Sequence, residues 1–345
     1  MFIMTKIPFV KIEAKTNFEF GNKLGLALKN KIKKRIEANK KIYAKRGNKE
    51  YSILIKDAKK FLPATKKKYP NLIKELNGIA KGAQVSFDDL LVYQCEEEIL
   101  DFYIPKCTSV ALRLNNGNIL LGHNEDWLPE YKENSLVIIS GKINKNKFLT
   151  MSYIGQLPGS SCALNSHGLA FTGNSLDFKR FKLGIPRVFM LRALLDTEKL
   201  KEAEKLLENK NRSLCSNTML VWKHTMEDLE LLWHHTEMFK FKNFIVHTNH
   251  PLDKQIQNNY NTHKESLIRV KVARKILDGA KRLDVKALKK VLCDHKSGIC
   301  GHADKRHPRY GVTIGSAIIN PNEGWLEACY ANPCINKYIR YYLQK

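Results

Sequence analysis

Cys107 and Asp126 are the two residues of this chain whose types and spacing most directly offer chemistry. Between them lie two β-rich runs, residues 108–114 and 119–124, joined through Asn116-Gly117, a pair that accepts the positive φ of a tight hairpin turn. With Asn116 and Gly117 as the two loop residues, Cys107 at the start of the first strand faces Asp126 at the end of the second. Their Cβ atoms then lie roughly 4.5–5.5 Å apart, unless a bulge breaks the register. A thiol beside a carboxylate at the open end of a hairpin, followed by Trp127 and Pro129, serves nucleophilic chemistry better than stability.

Other reactive types are weaker signals. Cys293-x-His295 and Cys300-x-His302 superficially offer four metal ligands, but the spacing is not that of a structural zinc site and no C-x-x-C occurs, so no metal is expected. Cys329-x4-Cys334 would form a disulfide only in an oxidising compartment. Glu96, Glu97 and Glu98 read as a solvated helix end, and His247 and His250 as packing or hydrogen-bonding residues at a strand end. Asn174 and Arg187 fit a substrate pocket, and equally a turn and a helix start.

These side chains need elements to hold them. From Asn17 to about Gly78 the pattern is helical, with Leu24, Leu28, Ile32 and Ile36 recurring every fourth residue. Ser86 is placed to cap a helix, with Asp89 at its third position. After Asp101 the period shortens. Strand-like runs lie at 108–114, 119–124, 136–139, 148–154, 169–172, 219–222, 229–233, 244–248, 312–319 and 326–330, with helical patterns near 187–195, 198–208, 264–278 and 285–293. Antiparallel-looking strands with helices before, between and after them predict an α+β domain of stacked layers, with no repeat and no dividing linker.

Composition bounds the function classes. A chain of 345 residues has ample length for a buried core, and 43% hydrophobic residues exclude wholesale disorder. A net charge of +25 raises the prior for an anionic partner. The densest basic stretch, residues 29–50, holds ten Lys/Arg against two Glu but only one aromatic, Tyr43, so it reads as a solvated face. Eight cysteines are too few for a disulfide scaffold, and the first residues carry no apolar signal core, which together predict a reducing, cytoplasmic setting. No apolar run is long enough to span a membrane.

The motifs also carry a resemblance. Cys107-Thr108-Ser109, Asn116-Gly117 and Gly122-His123-Asn124-Glu125-Asp126-Trp127 resemble the start of the mature β-chain in the penicillin acyltransferase (isopenicillin N acyltransferase-like) family of N-terminal nucleophile hydrolases. Residues 76–83 with Glu96-Glu97-Glu98 resemble its "GIAxGA" helix and glutamate-bearing segment. Asn165-Ser166-His167-Gly168-Leu169-Ala170 is similar to its N-x-x-G-(L/V)-(A/S) strand turn, and His247-Thr248-Asn249-His250 to its HTNH motif. Ser266 and Arg269 follow as in S-x-x-R, and Ser297-Gly298-Ile299-Cys300 resembles the "SIC" stretch. These motifs keep the family's order over residues 72–340.

The resemblance implies an αββα sandwich and a precursor cut just before Cys107. Residues 1–106 would form a helical N-terminal segment and 107–345 the catalytic β-chain, the two fragments staying associated as one layered domain. It implies amide hydrolysis or acyl transfer by Cys107, whose new α-amine, with an ordinary pKa near 7.7 to 8.0, can act as base for its own thiol. Asp126 would orient that amine, and Asn249 would offer its amide to the developing oxyanion. The family's late arginine falls at Tyr310, with Arg309 beside it; with Asn174, these are the candidate substrate-binding residues. The family commonly has Gly before the nucleophile, whereas this chain has Lys106 after Pro105. The function expected is therefore a cysteine amidohydrolase or acyltransferase acting on a small N-acyl amino acid, amine or peptide. It would use no cofactor, no specific nucleic acid and no membrane. The alternative is a basic module that binds nucleic acid or anionic surfaces and keeps the fold without catalysis; the Cys107, Asp126 and Asn249 set separates the two, because binding alone does not need it.

Overall fold

The fourfold apolar spacing of the N-terminal segment does what amphipathic spacing dictates: Leu24, Leu28, Ile32 and Ile36 are all buried. The computed structural model describes residues 6–47, 49–100, 107–176, 182–232, 235–253, 263–303 and 311–344. It begins with β1 (Phe9–Ala14) and continues through α1 (Asn17–Ala27), α2 (Lys29–Arg46), α3 (Tyr51–Lys59), α4 (Leu62–Lys68), α5 (Pro70–Ala83), α6 (Phe87–Gln94) and α7 (Glu96–Ile99). Then come β2 (Thr108–Arg113), β3 (Ile119–Trp127), β4 (Leu136–Ile143), β5 (Asn146–Tyr153), β6 (Cys162–Asn165) and β7 (Leu169–Ser175). Two helices, α8 (Arg187–Leu194) and α9 (Leu200–Leu207), precede β8 (Ser216–Trp222), β9 (Thr225–Leu231), β10 (Thr236–Lys240) and β11 (Phe244–His247). The chain closes with α10 (Lys264–Asp278), α11 (Val285–Leu292), β12 (Val312–Asn320), β13 (Trp325–Tyr330) and β14 (Tyr338–Tyr342).

Among the described residues the strands form two sheets, ordered β1-β4-β5-β6-β7-β8-β9-β10 and β11-β2-β3-β12-β13-β14. The period-2 alternation of β2 and β3 explains why sheets and helices stack as layers. Val110, Leu112 and Leu120 face α10 and α11 through Val270, Ala273, Leu288 and Leu292. Ala111, Ile119 and Leu121 face the other sheet and join the large core shared with α1 to α6 and α8. The order is helices, sheet, sheet, helices.

The N-terminal segment is not wholly helical as expected: β1 pairs in parallel with β4, so residues before 107 supply a strand to a sheet built mainly from residues after it. That strand, β6, β10 and β14 escaped the sequence reading. Three of them lie at sheet edges, where exposed or half-exposed residues weaken the alternation, and β6 has only four residues. Arg35 also departs from the solvated basic face. Its guanidinium is buried 4.2 Å from the Tyr131 ring centre and donates to Asn39 and Ser135. Among the described residues, no helix is long and apolar enough to cross a membrane.

The "GIAxGA" stretch has a packing role. Gly78 and Gly82 of α5 meet Gly21 and Gly25 of α1 so closely that a Cβ on any of the four would collide with the facing helix's backbone. Backbone cannot yield as a flexible side chain can. Gly78→Ala should therefore lower unfolding free energy by about 1–3 kcal/mol or more, measured by denaturant titration. A neutral result would mean the helices can separate freely.

Candidate active site

The hairpin carrying Cys107 is one residue out of the expected register. Leu114 and Asn118 close the loop by a hydrogen bond, Gly117 takes φ +83°, and Thr108 pairs with Asn124 and Ser109 with His123. This three-residue loop ends in a left-handed glycine instead of using Asn116 and Gly117 alone. A slip of one residue turns every side chain to the other face. Cys107 therefore shares the inner face with Glu125, not with Asp126. The Cys107 Sγ lies 3.5 Å from Glu125 Oε1 and 3.8 Å from the Asp126 carbonyl oxygen, while strand alternation turns the Asp126 side chain to the opposite face. The register of β12 against β3 shifts between Thr313 and Gly315, beside Asp126 and Glu125.

Behind Glu125 runs a buried, directional chain of hydrogen bonds. Glu125 Oε2 meets His123 Nε2 at 3.1 Å, and His123 Nδ1 meets Ser109 Oγ at 3.0 Å. Ser109 donates to Asn174 Oδ1, Asn174 to Asn217 Oδ1, and Asn217 to the Asp228 carboxylate. An acceptor-only carboxylate at the far end orients each amide in turn, so Ser109 spends its hydrogen on Asn174. Burial pushes the Glu125 carboxyl up, but the His123 hydrogen bond and charge outweigh it and hold Glu125 below the usual range. The Cys107 thiol moves the other way: burial, then Glu125 and Asp126, push it well above its ordinary value.

The HTNH and S-x-x-R motifs meet at the same strand end. Ser266 Oγ accepts from the Asn249 backbone N–H at 2.9 Å. Arg269, buried, donates to the Cys107 carbonyl at 2.7 Å, to Thr108 Oγ1 at 2.9 Å and to Asn249 Oδ1 at 2.9 Å. With its oxygen held there, Asn249 turns its amide nitrogen toward the Ser175 carbonyl, 2.9 Å away. The "SIC" stretch serves the outer face, where the Leu292 and Ile299 carbonyls both accept from Asn124.

Cys107 opens on a small polar cavity walled by Glu96, Glu97, Glu125, Trp127, Tyr153 and Arg187, with Ser175 among its other lining residues. Of the three glutamates expected to be solvated, Glu96 and Glu97 belong to this wall and Glu98 is buried. Glu96 accepts from Tyr131, Glu97 pairs with Arg187 at 2.6 Å and accepts from Ser175, and Glu98 accepts from Ser213 and the Arg187 backbone. Arg187 Nε and Trp127 Nε1 are buried with no hydrogen-bond partner among the described residues. Of the sequence candidates, Cys107 lines the cavity, Asp126 meets the Cys107 sulfur through its backbone carbonyl, and Asn249 reaches the cavity residue Ser175. Asn174 sits in the chain behind Glu125, and Lys106, Arg309 and Tyr310 lie outside the described residues. Glu125 was missed only through the register; the Glu97 and Arg187 pair, 90 residues apart, left no signal in the sequence.

Burial gives the site a pH signature. Glu96 and Glu98 are each pushed up to about 7 by burial, and His247, pulled down by burial but held by Asp228 and Glu230, sits at about 9. A carboxyl raised on folding stabilises fully below its ordinary value near 4.5, and that contribution is lost as pH rises through about 7. The His247 contribution is full below 6.5 and is lost through about 9. Both run the same way, so stability should fall between pH 5 and pH 9 by on the order of a few kcal/mol. Glu96→Gln with Glu98→Gln should flatten the thermal-melt profile below pH 7, and His247→Gln above it. A wild-type profile flat across the window would refute both assignments.

The family described as acyl-coenzyme A:6-aminopenicillanic acid acyl-transferase matches residues 113–334. A Drosophila melanogaster relative named β-alanyl-dopamine/carcinine hydrolase is 29% identical over 220 residues, covering 56% of this chain and 55% of the relative. The acyl-coenzyme A:6-aminopenicillanic-acid-acyltransferase 40 kDa form of Emericella nidulans is 26% identical over 247 residues, covering 69% and 68%. The chain thus spans about half the length of the first and about two thirds of the second. Among solved structures, the Caenorhabditis elegans N-acylethanolamine-hydrolyzing acid amidase ortholog superposes with a TM-score of 0.51 at 14% identity, over 69% of this chain and 100% of the other. At that identity the likeness is one of fold, the αββα sandwich of N-terminal nucleophile hydrolases.

Proposed function

We propose, because this chain belongs to the acyl-coenzyme A:6-aminopenicillanic acid acyl-transferase family, that it hydrolyses or transfers the acyl group of a small N-acyl amide through a thioester at Cys107. The observation that carries this reading is the placement of Cys107: its sulfur lines a polar cavity beside Glu125, and its carbonyl is held by buried Arg269. In the maturation step the thiol sulfur attacks the Lys106 carbonyl, the acyl group shifts from nitrogen to sulfur, and water hydrolyses the thioester. Residues 1–106 then end in a carboxylate, and Cys107 has a free α-amine.

In turnover that amine takes the thiol proton and the thiolate attacks the substrate amide. Asn249 donates to the oxyanion, and the departing amine receives the proton. Water or an acceptor amine then resolves the acyl-enzyme. Glu125, 3.5 Å from the sulfur, accepts the thiol hydrogen before the amine is released and so orients it. Arg187 Nε and Trp127 Nε1 are donors for the substrate's polar groups, and Glu97 and Glu125 favour a substrate that carries a cationic amine. That preference agrees with the β-alanyl-dopamine in the name of the Drosophila relative.

The test is single-turnover intact-mass analysis with β-alanyl and acetyl amides of one amine. An acyl adduct on the 107–345 fragment, formed faster from the β-alanyl amide, supports the reading. An adduct elsewhere on the chain, or none with any N-acyl amide, overturns it.

A further inference from the structure

On the outer side of the six-stranded sheet, away from the cavity, the fold gathers sulfur and imidazole groups that the proposed reaction does not use. After α11 the chain folds back on itself: Asp294 accepts from Ser297 N and Oγ, the Cys300 N–H bonds the Asp294 carbonyl, and Gly298 takes φ +83°. This loop brings His295, Cys300 and His302 to one side. The connection between β13 and β14 adds Cys334 from across the gap, fastened by Asn332, which donates to the Gly301 carbonyl at 2.6 Å and to Cys300 Sγ at 3.4 Å.

The separations have the dimensions of a coordination shell. Cys300 Sγ lies 3.5 Å from Cys334 Sγ and 3.7 Å from His302 Nε2, and His302 Nε2 lies 3.1 Å from Cys334 Sγ. Metal–sulfur bonds near 2.3 Å and metal–nitrogen bonds near 2.0 Å, set at tetrahedral angles, give ligand–ligand edges of roughly 3.3–3.8 Å. His295, an exposed residue of the same loop, is the fourth candidate: a ring nitrogen lies within 4.8 Å of the His302 and Cys334 ligand atoms, and rotation of the ring toward Cys300 would close the set. The neighbouring Cys293 thiol is spent on the Pro333 carbonyl at 3.3 Å. All these cysteines are free thiols, with Cys300 and Cys334 well beyond disulfide bonding distance.

We propose that Cys300, Cys334, His302 and His295 form a structural site for a tetrahedral divalent metal of the zinc class, stapling the loop after α11 to the β13–β14 connection. Two thiolates and two imidazoles select zinc over magnesium or calcium, and four protein ligands leave no open position for substrate. The site also braces the catalytic sheet. Gly301, between two ligands, exchanges hydrogen bonds with Thr313, the cross-strand partner of Asp126. Sequence spacing concealed it because Cys334 lies 32 residues beyond His302.

The experiment uses the full chain purified under reducing conditions, with metal content read by elemental mass spectrometry and a cobalt(II) titration followed by visible absorption. One zinc per chain is expected, falling to none in Cys334→Ser and in His302→Gln and staying at one in Cys107→Ala. Cobalt should give the intense bands of a tetrahedral, thiolate-bound ion in the wild type, a readout that does not depend on either variant folding. The proposal is overturned by wild-type protein that binds neither metal stoichiometrically, or by a pale octahedral cobalt spectrum. Zinc lost in Cys107→Ala but retained in Cys334→Ser overturns it too, as does a Cys300–Cys334 disulfide in the unreduced intact mass.

Discussion

Cys107→Ala should remain one uncut polypeptide and lose at least about 10⁴-fold in turnover, while wild-type protein separates under denaturing conditions into residues 1–106 and 107–345. Both effects follow from one atom. The sulfur is the nucleophile in the cut that frees the α-amine and again in each acyl transfer, so its removal cannot be offset by the oxyanion donor alone. Cys107→Ser keeps an oxygen in the same place but loses the easily ionised thiol, and should be processed slowly at best. Folding should hardly change, because the Arg269 contact is to the Cys107 backbone and survives either substitution. Denaturing mass spectrometry reads the cut and an amide-hydrolysis assay reads turnover. Full-length wild-type protein with full activity would remove self-processing from the mechanism. Activity retained in Cys107→Ala would remove the nucleophile.

The second large effect is expected at Asn249. Its side chain is held at both ends, by Arg269 on the oxygen and by the Ser175 carbonyl on the nitrogen, with its backbone fixed by Ser266. A donor so fixed costs no reorganisation as charge develops on the substrate oxygen. Asn249→Ala should lower kcat by roughly 10² to 10³ with little change in KM, since the contact strengthens mainly in the transition state. The substitution also deprives Arg269 of an acceptor, so some loss of thermal stability accompanies it. The two roles separate in the kinetics: a lower melting temperature with unchanged kcat would make Asn249 a structural hydrogen-bonder only.

Much of the fold was legible because its elements announce themselves locally. The fourfold leucine and isoleucine spacing of α1 and α2, and the runs that became β2, β3, β7 and β12, carry their burial pattern in their own residues. The edge strands β1, β10 and β14 do not, because each has a strand neighbour on one side only and keeps exposed side chains. The site divides along the same line. Cys107, Asn249 and the Ser266/Arg269 pair were visible as motifs, and their convergence on one strand end agrees with the αββα sandwich that the resemblance implied.

What the chain by itself determined, then, is the set of reactive groups and the hairpin and helices that present them, since residue type and local periodicity act over a few positions. Which carboxylate stands beside the thiol was decided by one extra loop residue, through the twofold side-chain period of a strand. The Glu97–Arg187 pair, the Arg269 clasp on the Cys107 carbonyl and the Cys/His cluster around Cys334 were decided only by the tertiary structure. They join residues 32 to 162 positions apart, and no local pattern encodes a contact that exists only once two sheets and their helices have packed.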